Sequence, residues 1–149
     1  MVETAPRLSW SRKIILLARV WILFLTAEVA VRREGLPAAT RQLGSRRSHG
    51  QYPAALLSRA VSRGLRIGPW TPRCLYRSLV LYALLRETGG TAELVIGIRP
   101  DATSSDAHAW VEVAGRDVGP DPGSLGAVEL IRNPRKQIAP HESAALADA

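Results

Sequence analysis

The stretch that decides the fold runs from Thr71 to Asp121 and contains three segments, TPRCLYRSLVLYALLRETGG (71–90), TAELVIGIRP (91–100) and DAHAWVEVAGRDVGPD (106–121). A leucine-rich run is followed by shorter apolar runs, with glycine and proline between them, which predicts one helix and then strands. The helical segment carries Cys74, the only cysteine of the chain, near its start. His108 opens a later strand. A thiol and an imidazole in this order are the pair that a thiol nucleophile needs.

The helix that carries Cys74 has clear start and stop signals. Thr71 suits the capping position and Pro72 the first helical position, so we expect Cys74 at the third helical position. There its backbone amide has no acceptor within the helix, and the positive end of the helix dipole favours a thiolate over a thiol. Gly89 and Gly90 end the helix. Its many leucines predict that it is the central buried helix of the domain.

Three strands are predicted after this helix, at Ala92 to Arg99, His108 to Val113 and Arg116 to Gly119. The first is a continuous apolar run, which is typical of a strand buried on both faces. The second alternates, with His108, Trp110 and Glu112 on one face. Ala114 and Gly115 form the turn to the third strand.

The geometry of this hairpin indicates which acid orients His108. A two-residue turn predicts these facing pairs: Val113 with Arg116, Val111 with Val118, and His108 with Asp121. Asp117 instead faces Glu112, about 13 Å along the strand from His108 at ~3.4 Å per residue. Asp121 is therefore the preferred acid and Asp117 the weaker candidate, and a three-residue turn still leaves Asp121 next to His108.

Helices are also predicted in the N-terminal part of the chain, at Leu8 to Arg33, Pro37 to Leu43 and Ala54 to Arg63. The apolar run from Ile14 to Val31 reaches about the length of a membrane-spanning helix. Arg19 and Glu28 lie inside it, and each is expensive at bilayer depth. We therefore favour a buried helix of a soluble protein, covered on most sides, and keep membrane association through residues 14–31 as the alternative.

Composition excludes several kinds of site. The net charge of +7 over 149 residues, carried mainly by arginine, attracts anionic partners. The arginines are spread along the chain and lack the interleaved aromatic pattern of a face that binds single-stranded nucleic acid, so we expect no specific nucleic-acid binding. One cysteine forms neither an internal disulfide nor a thiolate zinc site. We expect no metal, no cofactor and a cytoplasmic location, with peripheral membrane contact as the alternative.

The block RCLYRSLVLYALLRETGGTAELVIGIRP, followed by AHAWVEVAGRDVGPD, carries a resemblance to a known family. It resembles the transglutaminase-like, papain-type core of the leader peptidases that process lasso peptide precursors. The likeness is strong over residues 70–121 and loose elsewhere. It implies an α+β fold in which the central helix with the cysteine packs on a small antiparallel sheet. The expected organisation is a helical N-terminal part (1–64), a catalytic core (65–132) and a tail (133–149), in one compact domain.

The resemblance also implies an activity and partners. Such a cysteine peptidase cleaves the leader from a ribosomally synthesised precursor peptide, and a small leader-recognition protein hands the precursor over. A separate macrocyclase then acts on the freed core peptide. By position, Cys74 would be the nucleophile, His108 the general base and acid, and Asp121 the orienting acid.

Four further residues are candidates for the substrate and oxyanion region. Trp70 is a candidate second donor beside the Cys74 amide, with a packing role as the alternative. Trp110 would cover the histidine or shape the cleft, or else pack in the core. Arg73 and Arg77 lie about one helical turn apart and would meet acidic leader residues, or else form a solvated helix edge.

Two other functions fit the same residues. An acyltransferase or amidase would use the same three residues, because an amine resolves a thioester as water does. A non-enzymatic, basic adaptor at a membrane or nucleic acid would leave Cys74 merely buried.

Overall fold

A computed structural model of the protein describes residues 8–45, 52–66, 72–98, 107–119 and 128–132. In this part of the chain, four helices precede four strands: α1 (Trp10–Glu34), α2 (Leu36–Gly44), α3 (Ala54–Gly64), α4 (Cys74–Glu87), β1 (Ala92–Ile98), β2 (Ala107–Val113), β3 (Arg116–Gly119) and β4 (Val128–Arg132). Every element except β4 was predicted from the sequence, with small shifts at the ends.

The strands form one antiparallel sheet in the order β3-β2-β1-β4. β1 and β2 pair along their whole length, from Ala92 with Val113 to Ile98 with Ala107. β4 adds to the other side of β1 with an irregularity at Ile96 and Gly97. The helices pack against one face of this sheet, so the predicted α+β architecture is confirmed.

α4 is the central element of the core, as its leucine content predicts. Ten of its 14 residues are buried, including Ser78 and Glu87. α1, α2, α3, β1 and β2 all pack against it. Glu87 forms an ion pair with Arg19 of α1, and this pair supplies the buried carboxylate with a cation.

The C-terminal end of α4 is fixed by the two glycines that predict it. Gly89 has a φ of +82°, which favours glycine. Its N–H donates to the Arg86 carbonyl, and the Gly90 N–H donates to the Leu85 carbonyl, both at 3.1 Å. These two bonds form a Schellman motif and satisfy carbonyls that the helix leaves open.

α1 differs from its prediction. It was expected to be covered on most sides, but only one face is buried, through Leu16, Val20, Leu23, Phe24, Ala27 and Ala30. α1 packs against α2, α3 and α4, and its outward apolar side chains are exposed. By length and composition α1 passes as a membrane-spanning helix, with a mean hydropathy of 2.2 over a window of which 33% is buried.

The close approach of α2 to α4 gives a stability prediction. A Cβ on Gly44 would lie 2.5 Å from Tyr82 Oη and 3.2 Å from Tyr82 Cε1, and Tyr82 is fully buried. We expect Gly44→Ala to lower the free energy of unfolding by about 1–3 kcal/mol, the usual range for overpacking. Urea denaturation measures the change.

Two variants control this experiment. Arg41→Ala changes an exposed position of the same helix and should shift stability by less than about 0.5 kcal/mol. Adding Tyr82→Phe to Gly44→Ala removes the closest contact and should recover part of the loss. A Gly44→Ala variant as stable as the parent chain would contradict the packing argument.

Candidate active site

Cys74 lies at the beginning of α4, but two positions nearer the start than predicted. Arg73 is the N-cap residue, with an extended backbone (φ −57°, ψ 148°), so Cys74 is the first helical residue. Pro72 precedes the cap, and Thr71 lies outside the described residues. The prediction was wrong because the fixed φ of proline suits an extended entry as well as a first helical turn. At the new position the helix still offers no acceptor for the Cys74 N–H.

The first turns of α4 lie against the backbone of β2. Cys74 Sγ lies 3.8 Å from the Ala107 carbonyl oxygen, within reach of a weak S–H···O hydrogen bond. One turn later the buried Ser78 hydroxyl donates to the Ala109 carbonyl at 2.8 Å. Two side chains on one helix face therefore contact two alternate carbonyls of one strand. The peptide that Cys74 touches is the one that joins Ala107 to His108.

Hairpin geometry explains why these carbonyls accept from the helix. Ala114 and Gly115 both have positive φ, 51° and 74°, which makes the β2–β3 connection a two-residue turn of the I′ type. The residues that flank such a turn, Val113 and Arg116, form a hydrogen-bonded pair, so Val113 directs its carbonyl towards β3. Carbonyls two, four and six residues earlier point the same way, away from β1. Those of Ala107 and Ala109 lie beyond the β3 residues that pair with β2, at the edge that α4 approaches.

His108 shares a face of β2 with Trp110, as the alternation predicts. Their rings are nearly parallel, with centroids 6.1 Å apart and an interplanar angle of 18°. Val111, on the other face, belongs to the core beneath the helices. The thiol approaches at the strand edge, where the two faces meet.

Trp110 is itself held by a chain of charged groups. Its Nε1 donates to Glu112 Oε1 at 2.8 Å. Arg132 of β4 donates to the other Glu112 oxygen and to Glu93, each at 2.7 Å. Glu93 and Glu112 are directly opposite each other in the β1–β2 ladder, so the guanidinium separates two carboxylates that would otherwise repel.

Sequence reasoning missed the supporting residues of this site. Ser78 had a signal, because it lies four residues after Cys74 and therefore on the same face of the helix. Arg132 had none, because β4 was not predicted.

The predicted register of the hairpin is correct for two pairs and wrong at the third. Glu112 faces Asp117 as expected, but Val111 faces Gly119 instead of Val118. One residue is bulged out there, and Gly119 has a φ of +91°. Asp117 Oδ1 accepts the Gly119 N–H at 2.8 Å, which stabilises the bulge.

This bulge bears on the choice of acid. The ladder that placed Asp121 opposite His108 does not continue in that register past Glu112, and Asp121 lies outside the described residues. Asp117 uses one carboxylate oxygen at the bulge and faces Glu112, away from His108 along the strand. The preference for Asp121 over Asp117 therefore stays a prediction.

The remaining candidate residues for the substrate and oxyanion region differ in solvent exposure. Arg73 is exposed at the cap, whereas Arg77 is buried, so the two do not form a common solvated edge. Trp110 is buried beside His108. Trp70 lies outside the described residues. Among the residues that are described, no three His, Cys, Asp or Glu side chains cluster as metal ligands.

Removing the Arg132 guanidinium tests whether the charged residues that support Trp110 stabilise the sheet. In Arg132→Gln, Glu93 and Glu112 face each other without a guanidinium between them. We expect the free energy of unfolding to fall by about 1–2 kcal/mol, since like charges directly opposite destabilise a sheet and charge-assisted hydrogen bonds are lost. Adding Glu93→Gln should restore part of it. Equal losses in the presence and absence of Glu93 would show that the two carboxylates are not coupled through Arg132.

Comparison with known proteins supplies the family. Searches of curated proteins and of solved structures found no match. The family model described as "Transglutaminase-like superfamily" matches residues 16–132, from α1 to the end of β4. Catalysis in this superfamily is generally cysteine-based. This agrees with the position of the Cys74 thiol at the start of α4, beside the strand that carries His108. The chain therefore belongs to the transglutaminase-like superfamily.

Proposed function

We propose that the protein is a cysteine peptidase that removes the leader from a ribosomally synthesised lasso peptide precursor before macrocyclisation. The observation that carries the proposal is the contact of Cys74 Sγ, at the first position of α4, with the carbonyl of the residue before His108. It brings the only thiol of the chain to the strand that holds the candidate base.

The surroundings of Cys74 favour a nucleophilic thiol. The positive end of the α4 dipole lies at this residue, and no acidic side chain occupies the first turn to offset it. The thiol is partly exposed and forms no disulfide. Reactive cysteines lie in partly exposed, electropositive surroundings of this kind, whereas structural ones are buried and inert.

The reaction proceeds in two steps. The Cys74 thiolate attacks the scissile carbonyl carbon, the C–N bond breaks, and His108 gives a proton to the departing amine. Water then attacks the thioester while His108 accepts its proton, and the C–S bond breaks, which releases the leader with a free carboxylate and restores the Cys74 thiolate. The Cys74 N–H, which has no acceptor within α4, donates to the oxyanion in both steps. Asp121 holds the imidazole in the required tautomer.

The choice of substrate is supported by the resemblance of residues 70–121 and by charge. With a net charge of +7, the protein attracts acidic peptides. The exposure of Arg73, immediately before the nucleophile, supports a contact with an acidic leader residue. A small leader-recognition protein delivers the precursor, and a macrocyclase uses the amine that cleavage frees.

Cleavage of precursor peptides tests the proposal. Candidate precursors are incubated with the protein, with and without a leader-recognition protein, and the products are identified by mass spectrometry. We expect one cut between leader and core, and a loss of at least about a hundredfold in rate in Cys74→Ala and in His108→Ala. Arg41→Ala, at an exposed position of α2, should cleave like the parent chain.

The products and the thiol separate the alternatives. Transfer of the leader to an added amine in preference to water would make the protein an acyltransferase. Rapid iodoacetamide labelling of Cys74 near neutral pH, slowed in His108→Ala, is expected of a catalytic thiol. A slow-reacting thiol, or cleavage that persists in Cys74→Ala, would contradict the mechanism.

The two candidate acids are distinguished by separating activity from stability. Asp121→Ala should lower kcat by about a hundredfold or more with little change in the free energy of unfolding, because an orienting acid acts through the histidine. Asp117→Ala should mainly lower stability, because it removes the acceptor of the Gly119 N–H. The reverse pattern would assign the orienting role to Asp117.

A further inference from the structure

The outward side of α1 is a continuous apolar surface, hereafter the outer face. Its side chains recur at helical spacing and are 43–79% exposed: Trp10, Ile14, Ile15, Leu17, Ile22, Leu25 and Val29. Monomeric soluble proteins rarely expose more than a few hundred Å² of contiguous apolar surface without a function for it. A surface of this length along one helix therefore marks an interaction site.

Basic residues lie at both ends of the outer face. Arg12 and Lys13 lie in the first turn of α1, and Arg32 and Arg33 lie in the last turn. Trp10 lies at the same end as Lys13, whose Nζ is 5.7 Å from the centre of its ring. Tryptophan and basic residues at the ends of an apolar helix are typical of contact with the headgroup layer of a membrane.

The basic charge is unopposed only at the start of α1, where the first turn has no acidic residue. Glu28 is half-buried and is paired with Arg32, four residues on, at 2.6 Å. Glu34 lies at the last position of α1, after both arginines. An anionic surface is thus most complementary to the start of the helix, around Arg12 and Lys13.

The opposite side of α1 fixes how the helix meets such a surface. Its buried side chains form part of the core with α4, and Arg19 is paired with Glu87 of α4. A membrane-spanning arrangement would have to remove this face from the core and break the ion pair. The helix can present its outer face without any such change only by lying parallel to the surface.

A second copy of the chain is a poorer occupant. In a parallel pair of α1 helices, like basic ends lie side by side, and in an antiparallel pair Arg12 and Lys13 of one copy face Arg32 and Arg33 of the other. In neither arrangement do Arg12 and Lys13 meet an acidic residue that is not already beside an arginine, so a second copy offers them no free counter-charge. An anionic lipid surface supplies one.

We propose that the outer face of α1 docks on the surface of an anionic lipid bilayer, with the helix lying in the plane of the headgroups. The apolar side chains enter the boundary with the acyl chains, and the basic residues at the two ends contact lipid phosphates. This inference is independent of the proposed peptidase activity. It makes the protein a peripheral membrane protein whatever its substrate.

Vesicle binding tests the proposal. The full-length protein is sedimented with phosphatidylcholine vesicles prepared with and without phosphatidylglycerol. We expect binding that requires the anionic lipid and weakens as salt is raised. Ile22→Ser with Leu25→Ser should weaken binding by at least about tenfold, because two apolar side chains leave the interface. Both residues are exposed in the free protein, so thermal unfolding should change little.

A charge-matched control separates the contribution of the basic residues of α1 to vesicle binding from that of the net charge of the protein. Arg12→Gln, Lys13→Gln and Arg33→Gln together should reduce binding about tenfold or more. Arg41→Gln, Arg59→Gln and Arg63→Gln remove the same charge from exposed positions of α2 and α3 and should reduce it much less. Equal effects of the two triple variants would overturn the assignment to α1.

Three other results would also overturn the proposal. The first is a lack of binding to anionic vesicles. The second is retention of the protein on vesicles after alkaline carbonate extraction, which would indicate a spanning helix. The third is a concentration-dependent dimer that Ile22→Ser with Leu25→Ser dissociates, which would make the outer face an interface between copies of the chain. Cleavage of a precursor peptide in detergent-free solution is unaffected by any of these outcomes, so the two proposals fail separately.

Discussion

The position of the candidate nucleophile depends on the contact between the first turns of α4 and the edge of β2. Ser78, buried, donates to the Ala109 carbonyl, and Cys74 lies one turn earlier on the same face, against the Ala107 carbonyl. A buried backbone carbonyl needs a hydrogen-bond partner. The hydroxyl of Ser78 supplies it and thereby fixes the position of α4 along β2. The Schellman motif fixes the other end of α4. A helix held at both ends places its first residue reproducibly beside the His108 strand.

The imidazole is supported from a different direction. His108 lies against the ring of Trp110, and Trp110 is tied through Glu112 to Arg132 on β4. The thiol is thus positioned by α4, and the imidazole is positioned by Trp110 on the face of the sheet opposite the helices. Two independent supports that converge on one strand end are what a nucleophile and its base require, because each must be oriented without displacing the other.

Local signals predicted most of the fold, and they failed where a tertiary contact or a side chain decides the backbone. The helices, β1 and the two-residue turn follow from periodicity, glycine and proline. The start of α4 did not, because Pro72 is compatible with both an extended and a helical φ. The bulge at Gly119 did not, because an Asp117 side chain stabilises it. Arg132 had no local signal, since its role exists only once β4 lies beside β1.

Arg19 supports one conclusion about contact between α1 and lipid when only the sequence is considered, and the opposite conclusion when the folded structure is considered. In the sequence it is a charge inside an apolar run, which argues against contact with lipid. In the fold its guanidinium is directed at Glu87 of α4, on the side of α1 that packs in the core. The charge therefore excludes a helix surrounded by lipid but not one that meets lipid with its other face. An apolar helix with its few charges turned towards the core or placed at its ends is suited to lie in the plane of a membrane surface.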